Sequence, residues 1–156
     1  MKNVCRKEFE AMFLPYTQLG KQIRVINKIK ELPLEIVRFA INLAELDFIK
    51  FIRIDSSGIA ASSENYPNRP KVPVIQMNHP TAIGIEILYD LEYKTIDFYD
   101  INSPIKGNGG KMAVAILKDF PQGWSPVVIM DWSEGFWGKM KAKYDHLDWI
   151  KDPFYE

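Results

Sequence analysis

Apolar positions in the first third of the chain recur at steps of three and four, which is the spacing of one face of an α-helix. In the stretch YTQLGKQIRVINKIKEL these positions are Leu19, Ile23, Ile26 and Ile29. In the stretch LEIVRFAINLAEL, which begins after Pro33, they are Ile36, Ala40, Leu43 and Ala44. Proline is favoured in the first turn of a helix. The pattern therefore predicts two amphipathic helices within residues 7–47, with boundaries near Gly20 and Pro33.

Beyond Asp47 the pattern changes to short apolar runs and alternation, which are typical of β-strands. The runs FIKFIRID and IAAS predict two short strands, because isoleucine and phenylalanine fit a half-buried pleated surface. Residues 62–80 contain four prolines and predict a long irregular loop. In TAIGIEILYD the isoleucines alternate with glycine and glutamate, and YKTIDFYDI follows after a charged turn. These two segments predict an antiparallel hairpin.

The last third of the chain predicts a strand, a glycine-rich loop, a helix, a strand and a final helix. KMAVAILKDF is the first of these helices, PVVIMDW is a buried strand, and SEGFWGKMKAKYDHL is a helix capped by Ser133. DWIKDPFYE adds a short edge strand. A strand–helix–strand unit requires parallel strands and a right-handed crossover. We therefore expect an α/β (α+β) fold with a mixed, mainly antiparallel sheet and helices on both faces.

The length and composition fit one domain over residues 1–156, with a mainly helical part at 1–47 and the sheet, loop and last helix at 48–156. Twenty basic and twenty acidic residues cancel, which argues against a nucleic-acid binder. Cys5 is the only cysteine, so no internal disulfide forms. The charged start is unlike a signal peptide, and no apolar run reaches the roughly 18 residues of a membrane span. A cytoplasmic protein is the expectation.

Three of the nine glycines, Gly107, Gly109 and Gly110, lie within four positions at the start of a predicted helix. One interpretation is a turn that needs glycine for steric reasons. The other is an anion site, because the first N–H groups of a helix lack intrahelical partners and the helix dipole favours negative charge there. Lys106 and Lys111 flank the loop and would add positive charge. These features favour a ligand that carries phosphate.

Two familiar nucleotide motifs do not fit this loop. Met112 occupies both the Ser or Thr position of the Walker pattern and the final glycine position of the dinucleotide fingerprint. The order of elements over residues 16–150 instead resembles the GNAT superfamily of acyl-CoA N-acyltransferases. Its loop motif, Gln/Arg-x-x-Gly-x-Gly/Ala, fits in two partial registers. One uses Lys106 and Gly109, and the other uses Gly107 and Gly109 with Pro104 in the basic position.

The resemblance implies acetyl-CoA as cosubstrate, a splayed strand before the loop that binds the acyl arm, and loop amides that bind the pyrophosphate. The implied residues for the acyl arm are Tyr99, Asp100, Ile101 and Asn102. The implied residues for the pyrophosphate are Lys106, Gly107, Asn108, Gly109, Gly110 and Lys111.

Acyl transfer to an amine needs a proton acceptor, and the resemblance also implies a tyrosine that protonates the departing thiolate. Glu86, on the polar face of a hairpin strand, is the candidate base. Asp131 ends a predicted parallel strand, at the edge where such sheets present ligands. Trp137 replaces the tyrosine of the family, which leaves Tyr144 two turns further on as the candidate acid. Asp97 and Asp100 are expected to face solvent.

The two histidines, His79 and His146, have no carboxylate or cysteine at metal-ligand spacing, so no metal site is predicted. The leading hypothesis is an acyl-CoA-dependent N-acyltransferase that acetylates a primary amine of a small molecule or peptide. The alternative is an inactive GNAT-like protein that binds a partner through aromatic residues between Trp132 and Trp149. A nucleotide binder is a third interpretation. An abbreviated sheet edge would favour a homodimer, and neither nucleic acid nor membrane is an expected partner.

Overall fold

The computed structural model describes residues 2–129, 131 and 133–151. The helices are α1 (Arg6–Thr17), α2 (Leu34–Ala44), α3 (Asn108–Leu117) and α4 (Phe136–Lys143). The strands are β1 (Asn3–Cys5), β2 (Gln22–Val25), β3 (Glu31–Pro33), β4 (Phe51–Ile54), β5 (Gly58–Ser62), β6 (Asn65–Tyr66), β7 (Arg69–Pro73), β8 (Gly84–Asp90), β9 (Thr95–Asn102) and β10 (Ser125–Val127).

Six strands form the central sheet, in the order β10-β9-β8-β5-β4-β2. The two outer pairs, β10–β9 and β4–β2, are parallel, and the three inner pairs are antiparallel. The two small sheets are β1–β3 and β6–β7. The predicted α+β fold with a mixed, mainly antiparallel sheet is confirmed.

The core lies between the apolar face of this sheet and a layer in which α2 contacts both α1 and α3. Alternation along β8 buries Ile85, Ile87 and Tyr89, as the sequence predicts. The α2 and α3 helices are also joined by a polar contact, because Asn42 Nδ2 donates a hydrogen bond to the Ala115 carbonyl at 3.0 Å. The βαβ unit β9–α3–β10 is present as predicted. It brings the glycine loop to the outer end of the sheet.

The first predicted helix is wrong between Gly20 and Pro33. The helix α1 ends earlier, and the chain then forms β2, which pairs with β4 over its full length. Gly20 has φ +93°, a left-handed conformation that stops a helix. Ile23 and Val25 alternate with more exposed polar residues, so the same isoleucines fit a strand as well as a helix. Pairing with β4 decides between the two.

The loop predicted at 62–80 contains the hairpin β6–β7. The segment folds back on the sheet, since the Val74 N–H donates to the Glu64 carbonyl at 2.9 Å. Gly84 marks the close approach, because a Cβ there would lie 2.7 Å from the Val74 carbonyl oxygen. A glycine is therefore needed at the start of β8 for packing.

The C-terminal predictions are met in part. The strand β10 is shorter than predicted, and Met130 and Trp132 lie outside the described residues. The cap of α4 is Gly135, at φ +106°, and not Ser133, although the Ser133 hydroxyl accepts the Trp137 N–H at 3.2 Å. Ile150 forms a parallel bridge with Val127, and residues 152–156 lie outside the described part.

Membrane-spanning helices and groups of metal-ligating side chains are both absent from the described residues. Within the described residues, no helix combines the length and the apolar composition that a bilayer span needs. The same part of the chain contains no group of three metal-ligating side chains. His79 has a structural role there, because its Nδ1 accepts the N–H groups of Thr81 (3.2 Å) and Ala82 (2.8 Å).

Candidate functional site

The strands β9 and β10 diverge soon after they meet. They pair in parallel over three residues, from Ser125↔Thr95 to Val127↔Asp97. Strand β9 then continues to Asn102, paired with β8 on its other side. Among the described residues, no strand covers the outer edge of 98–102. We call this divergence the open junction, and its uncovered backbone N–H and C=O groups can bind an extended ligand.

An irregularity in β9 sets which side chains line this edge. Glu86 is opposite Asp100, whereas the next residue of β8, Ile87, is opposite Phe98. Tyr99 is therefore the extra residue of a β-bulge and is half exposed. Beyond the bulge, Ile101 faces Ile85, in the row of buried isoleucines.

The helix α3 begins at the end of this edge and has no side-chain cap. The N-cap residue, Gly107, has φ +96°. Its carbonyl accepts the Lys111 N–H at 3.1 Å, as in a regular first turn. The N–H groups of Gly109 and Gly110 have no acceptor among the described residues, so they are available to an anion at the positive end of the helix dipole.

The three glycines of the loop are not all required for the same structural reason. Gly107 is explained by its left-handed φ, which other residues adopt at a cost. At Gly109 a Cβ would lie 3.4 Å from Ile101 Cγ2, and at Gly110 it would lie 3.9 Å from Phe136 Cε2. Neither has a positive φ. A steric turn therefore accounts for Gly107 but leaves the other two glycines to be explained by what approaches the helix start.

An open cleft of about 540 Å³ lies beside this helix start, between α2, α3 and α4. Its apolar lining includes Val114 and Met140. Three lysines line it as well: Lys111, Lys118 and Lys143. Lys118 Nζ lies 3.9 Å from Glu45 Oε2. Lys111 and Lys143 have no ion-pair partner among the described residues. The cleft can therefore hold a ligand with an apolar body and negative charge.

The predicted base, Glu86, is half buried on the polar face of β8. Burial raises the pKa of its carboxyl group, and the nearby carboxylates of Asp55 and Asp100 raise it further. Burial also raises the pKa of Asp100, which the Ile101 N–H partly offsets. The structure thus brings Glu86 together with Asp100, and Asp100 is half buried rather than solvent-facing as expected.

Asp97 is a candidate that the sequence reasoning missed. It is half buried at the last parallel pair of the open junction, opposite Val127. Burial raises the pKa of this carboxyl group to about 6. Its Oδ1 is buried and has no hydrogen-bond donor among the described residues. The expectation that Asp97 faces solvent is wrong. Alternation along β9 cannot reveal a buried carboxylate unless the partial cover by β10 is known.

The two other predicted catalytic residues lie elsewhere. Asp131 Oδ1 accepts the Ser133 N–H at 2.9 Å and the Ser133 hydroxyl, so this carboxylate holds the turn before α4. Tyr144 is the C-cap of α4. It lies two turns from Phe136, the residue whose ring is near Gly110. Among the described residues, no hydrogen bond joins Asp131 or Tyr144 to the carboxylates on β8 and β9.

Trp137 occupies the position where the resemblance expects a tyrosine, and it belongs to the core. Its side chain is 5% exposed, and its ring centroid lies 4.8 Å from that of Phe98. This contact packs α4 against the start of the uncovered edge. Trp137 therefore supports the site but donates no proton there.

The remaining residues of the predicted acyl site differ in role. Tyr99 is half exposed, Ile101 contacts the helix start, and Lys106 is exposed. Asn102 is buried, and its amide donates to the Ala82 carbonyl, so this side chain is structural. Comparisons of the chain with protein-family models, curated proteins and solved structures returned no match.

Proposed function

We propose that the protein is an acyl-CoA-dependent N-acyltransferase. One observation supports it most: β9 extends beyond its pairing with β10, and its uncovered edge leads within a few residues to the uncapped start of α3. A ligand that carries both amides and a pyrophosphate matches this combination. The amides of a pantetheine arm can hydrogen-bond to the strand edge as an added strand does. The pyrophosphate matches the free N–H groups of Gly109 and Gly110.

The cleft beside α3 supports the same class of ligand. CoA carries an adenosine and a further phosphate beyond its pyrophosphate. Val114 and Met140 offer apolar contact for a base, and Lys111 and Lys143 offer charge for a phosphate. A simple nucleotide would use the helix start and this cleft but would leave the strand edge empty. The strand edge is what favours an acyl-CoA over ATP.

The proposed reaction is direct attack of a neutral primary amine on the thioester carbonyl. The C–N bond forms, the tetrahedral intermediate collapses, the C–S bond breaks, and CoA leaves as the thiolate. An acceptor that arrives as an ammonium ion loses one proton to a carboxylate before it attacks, and its nitrogen releases the second proton to the departed thiolate as the amide forms. Glu86 and Asp97 are the candidates, because a base with a pKa raised towards neutrality suits a reaction near pH 7. A thiolate is a stable enough leaving group to depart without the tyrosine that Trp137 replaces.

Trp137 also supports a second function, in which the fold binds a partner and has no catalytic activity. Its burial leaves the helix α4 without the expected acid at that position. The uncovered edge of β9 could then receive a peptide strand through the same backbone groups. The two functions differ in whether acetyl-CoA binds.

Calorimetric titration with acetyl-CoA, desulfo-CoA and ATP tests the proposal. We expect both CoA compounds to bind at least tenfold more tightly than ATP. Gly109→Leu should abolish this binding, because its side chain would project towards Ile101, where the arm and pyrophosphate meet. Gly138→Leu is the matched control, since Gly138 is an exposed helical glycine with nothing within 4 Å of its Cβ position. Binding of none of the compounds, or equal binding to both glycine variants, would contradict the proposal.

A further inference from the structure

A row of charged side chains crosses the polar face of the sheet next to the open junction. The registers of β4, β5, β8 and β9 align Arg53 with Ala60, Ala60 with Glu86, and Glu86 with Asp100. Residues directly opposite one another project from the same face. From β4 to β9 the row therefore presents the cation of Arg53, then a methyl group, then two carboxylates.

The cation of this row has no counter-ion in the part of the chain that the structure describes. Arg53 is half buried, yet it forms neither an ion pair nor a side-chain hydrogen bond within residues 2–129, 131 and 133–151. Its distance from Glu86 is set by two strand spacings, which is about 10 Å between Cα atoms. Long side chains can lean towards each other over that span. Ala60 lies between them and carries only a methyl group, so no large side chain of this row separates the two charged ends.

The carboxylate end of the row is next to the site of the chemistry. Asp100 lies on the uncovered stretch of β9, and Glu86 is its direct neighbour on β8. Neither has an ion-pair partner in the described part of the chain. An ammonium group placed between them would be next to the position proposed for the thioester. Arg53 would then face the opposite end of the acceptor.

We infer that the acceptor is a free amino acid, whose amino group is held by Glu86 and Asp100 and whose carboxylate is held by Arg53. This inference rests on the proposed N-acyltransferase function and names its substrate class. An α-amino acid carries both charges on one carbon, so it fits the short gap over Ala60. Polyamines have cationic groups at both ends, and Arg53 would repel one of them.

Matched pairs of acceptors test this inference. Acetyl transfer from acetyl-CoA would be measured through the free thiol that it releases. Each amino acid would be compared with its decarboxylated amine: lysine with cadaverine, tyrosine with tyramine, and histidine with histamine. We expect the best amino acid to exceed its decarboxylated amine at least tenfold in kcat/KM. Arg53→Gln should remove most of this preference through a higher KM for the amino acid, with little change in kcat or in the amine reaction. Arg53→Lys should restore part of it.

Arg24→Gln is the matched control, because Arg24 is next in the same row but is exposed and contacts only Gln22. It should leave the preference unchanged. Equal or better transfer to the amines by the wild type, or a preference that survives Arg53→Gln, would overturn the inference and leave the N-acyltransferase function standing. Failure of acetyl-CoA to bind in calorimetry, together with no transfer to any acceptor, would overturn the proposed function and this inference with it.

Discussion

The central sheet has a parallel pair at each edge, and the two pairs end differently. At one edge all four residues of β2 pair with β4. At the other edge β10 pairs with three residues of β9, which then continues to Asn102 paired with β8 alone. We call the first the closed junction. Both have the same local geometry where they are paired, so the difference lies in what happens to the backbone beyond the last pair.

At the closed junction, an arginine satisfies the carbonyl groups where β2 ends. The Arg6 guanidinium donates to the carbonyls of Ile29 (3.0 Å), Ile26 (2.8 Å) and Val25 (3.4 Å). At the open junction no described side chain does this for β9, and the next helix starts uncapped. Buried polar groups must find partners. One edge finds them within the fold, and at the other edge we propose that a ligand supplies them.

Breaking the closed junction should have the largest effect on stability. Arg6→Met removes the three hydrogen bonds that the guanidinium donates to the carbonyls of Val25, Ile26 and Ile29, together with its exposed ion pair with Glu10. We expect a loss of about 2–4 kcal/mol in the free energy of unfolding, measured by urea denaturation. Acetyl-CoA affinity of the folded fraction should not change. Arg24→Met, at an exposed position of β2, should stay within about 0.5 kcal/mol of the wild type.

A substitution that blocks the open junction should have the opposite effect, with acetyl-CoA affinity lowered and stability kept. Gly110→Leu adds a side chain at the helix start, where a Cβ has room beside Phe136. Because leucine has the higher helix propensity, we expect stability to rise by up to about 1 kcal/mol. Acetyl-CoA affinity should fall by a factor of roughly 30, about 2 kcal/mol. Paired urea and calorimetry measurements would detect this, and a loss of stability parallel to the loss of binding would contradict it.

The carboxyl group of Asp97, at the open junction, should make the free energy of unfolding of the protein depend on pH. Its pKa is about 6 in the folded protein, above the usual value of 3.8. The folded state therefore binds the proton more tightly, and stability is greatest below about pH 4 and declines as pH rises to about 6. The full shift corresponds to about 3 kcal/mol, which we reduce to about 1–2 because the group is half exposed to solvent.

Asp97→Asn isolates this contribution. We expect the variant to be more stable than the wild type at pH 7.5 by about 1–2 kcal/mol and to lose the slope between pH 4 and pH 6 in urea titrations. If Asp97 also accepts the amine proton, acetyl transfer should fall at the same time. An unchanged slope would show that this carboxylate is not the group that titrates.

The lysines of the cleft should show the smallest effect. Lys111→Gln and Lys143→Gln each remove one partly screened charge, and we expect acetyl-CoA affinity to fall about threefold, which is about 0.5–1 kcal/mol. The loss should shrink at high salt and should be smaller for dephospho-CoA. Lys139→Gln is the control, because Lys139 is exposed on α4 and does not line the cleft. An equal loss in all three variants would indicate a general charge effect.

The sequence predicted the elements whose apolar spacing fits one structure only. The α2 helix, the β8–β9 hairpin, and the β9–α3–β10 unit belong to this class. It misassigned β2, because Ile23 and Ile26 fit a helical stripe and only pairing with β4 makes this stretch a strand. It also missed the burial of Asp97, since that depends on where β10 stops. The alternation of apolar and polar residues along one strand does not show where its pairing with a distant strand ends.

The bulge at Tyr99 has a consequence for how this protein can change over time. One extra residue shifts the alternation of β9, so that its two halves present opposite phases to the core. Before the bulge, substitutions are constrained by packing against α4, as in the contact of Phe98 with Trp137. After the bulge, they are constrained by contacts along the edge that β10 does not cover. Each half can therefore accumulate substitutions under its own selection. Deletion of Tyr99 would remove the bulge and still leave Asp100 opposite Glu86 and Ile101 opposite Ile85, so β9 could lose this residue without turning a core side chain outwards.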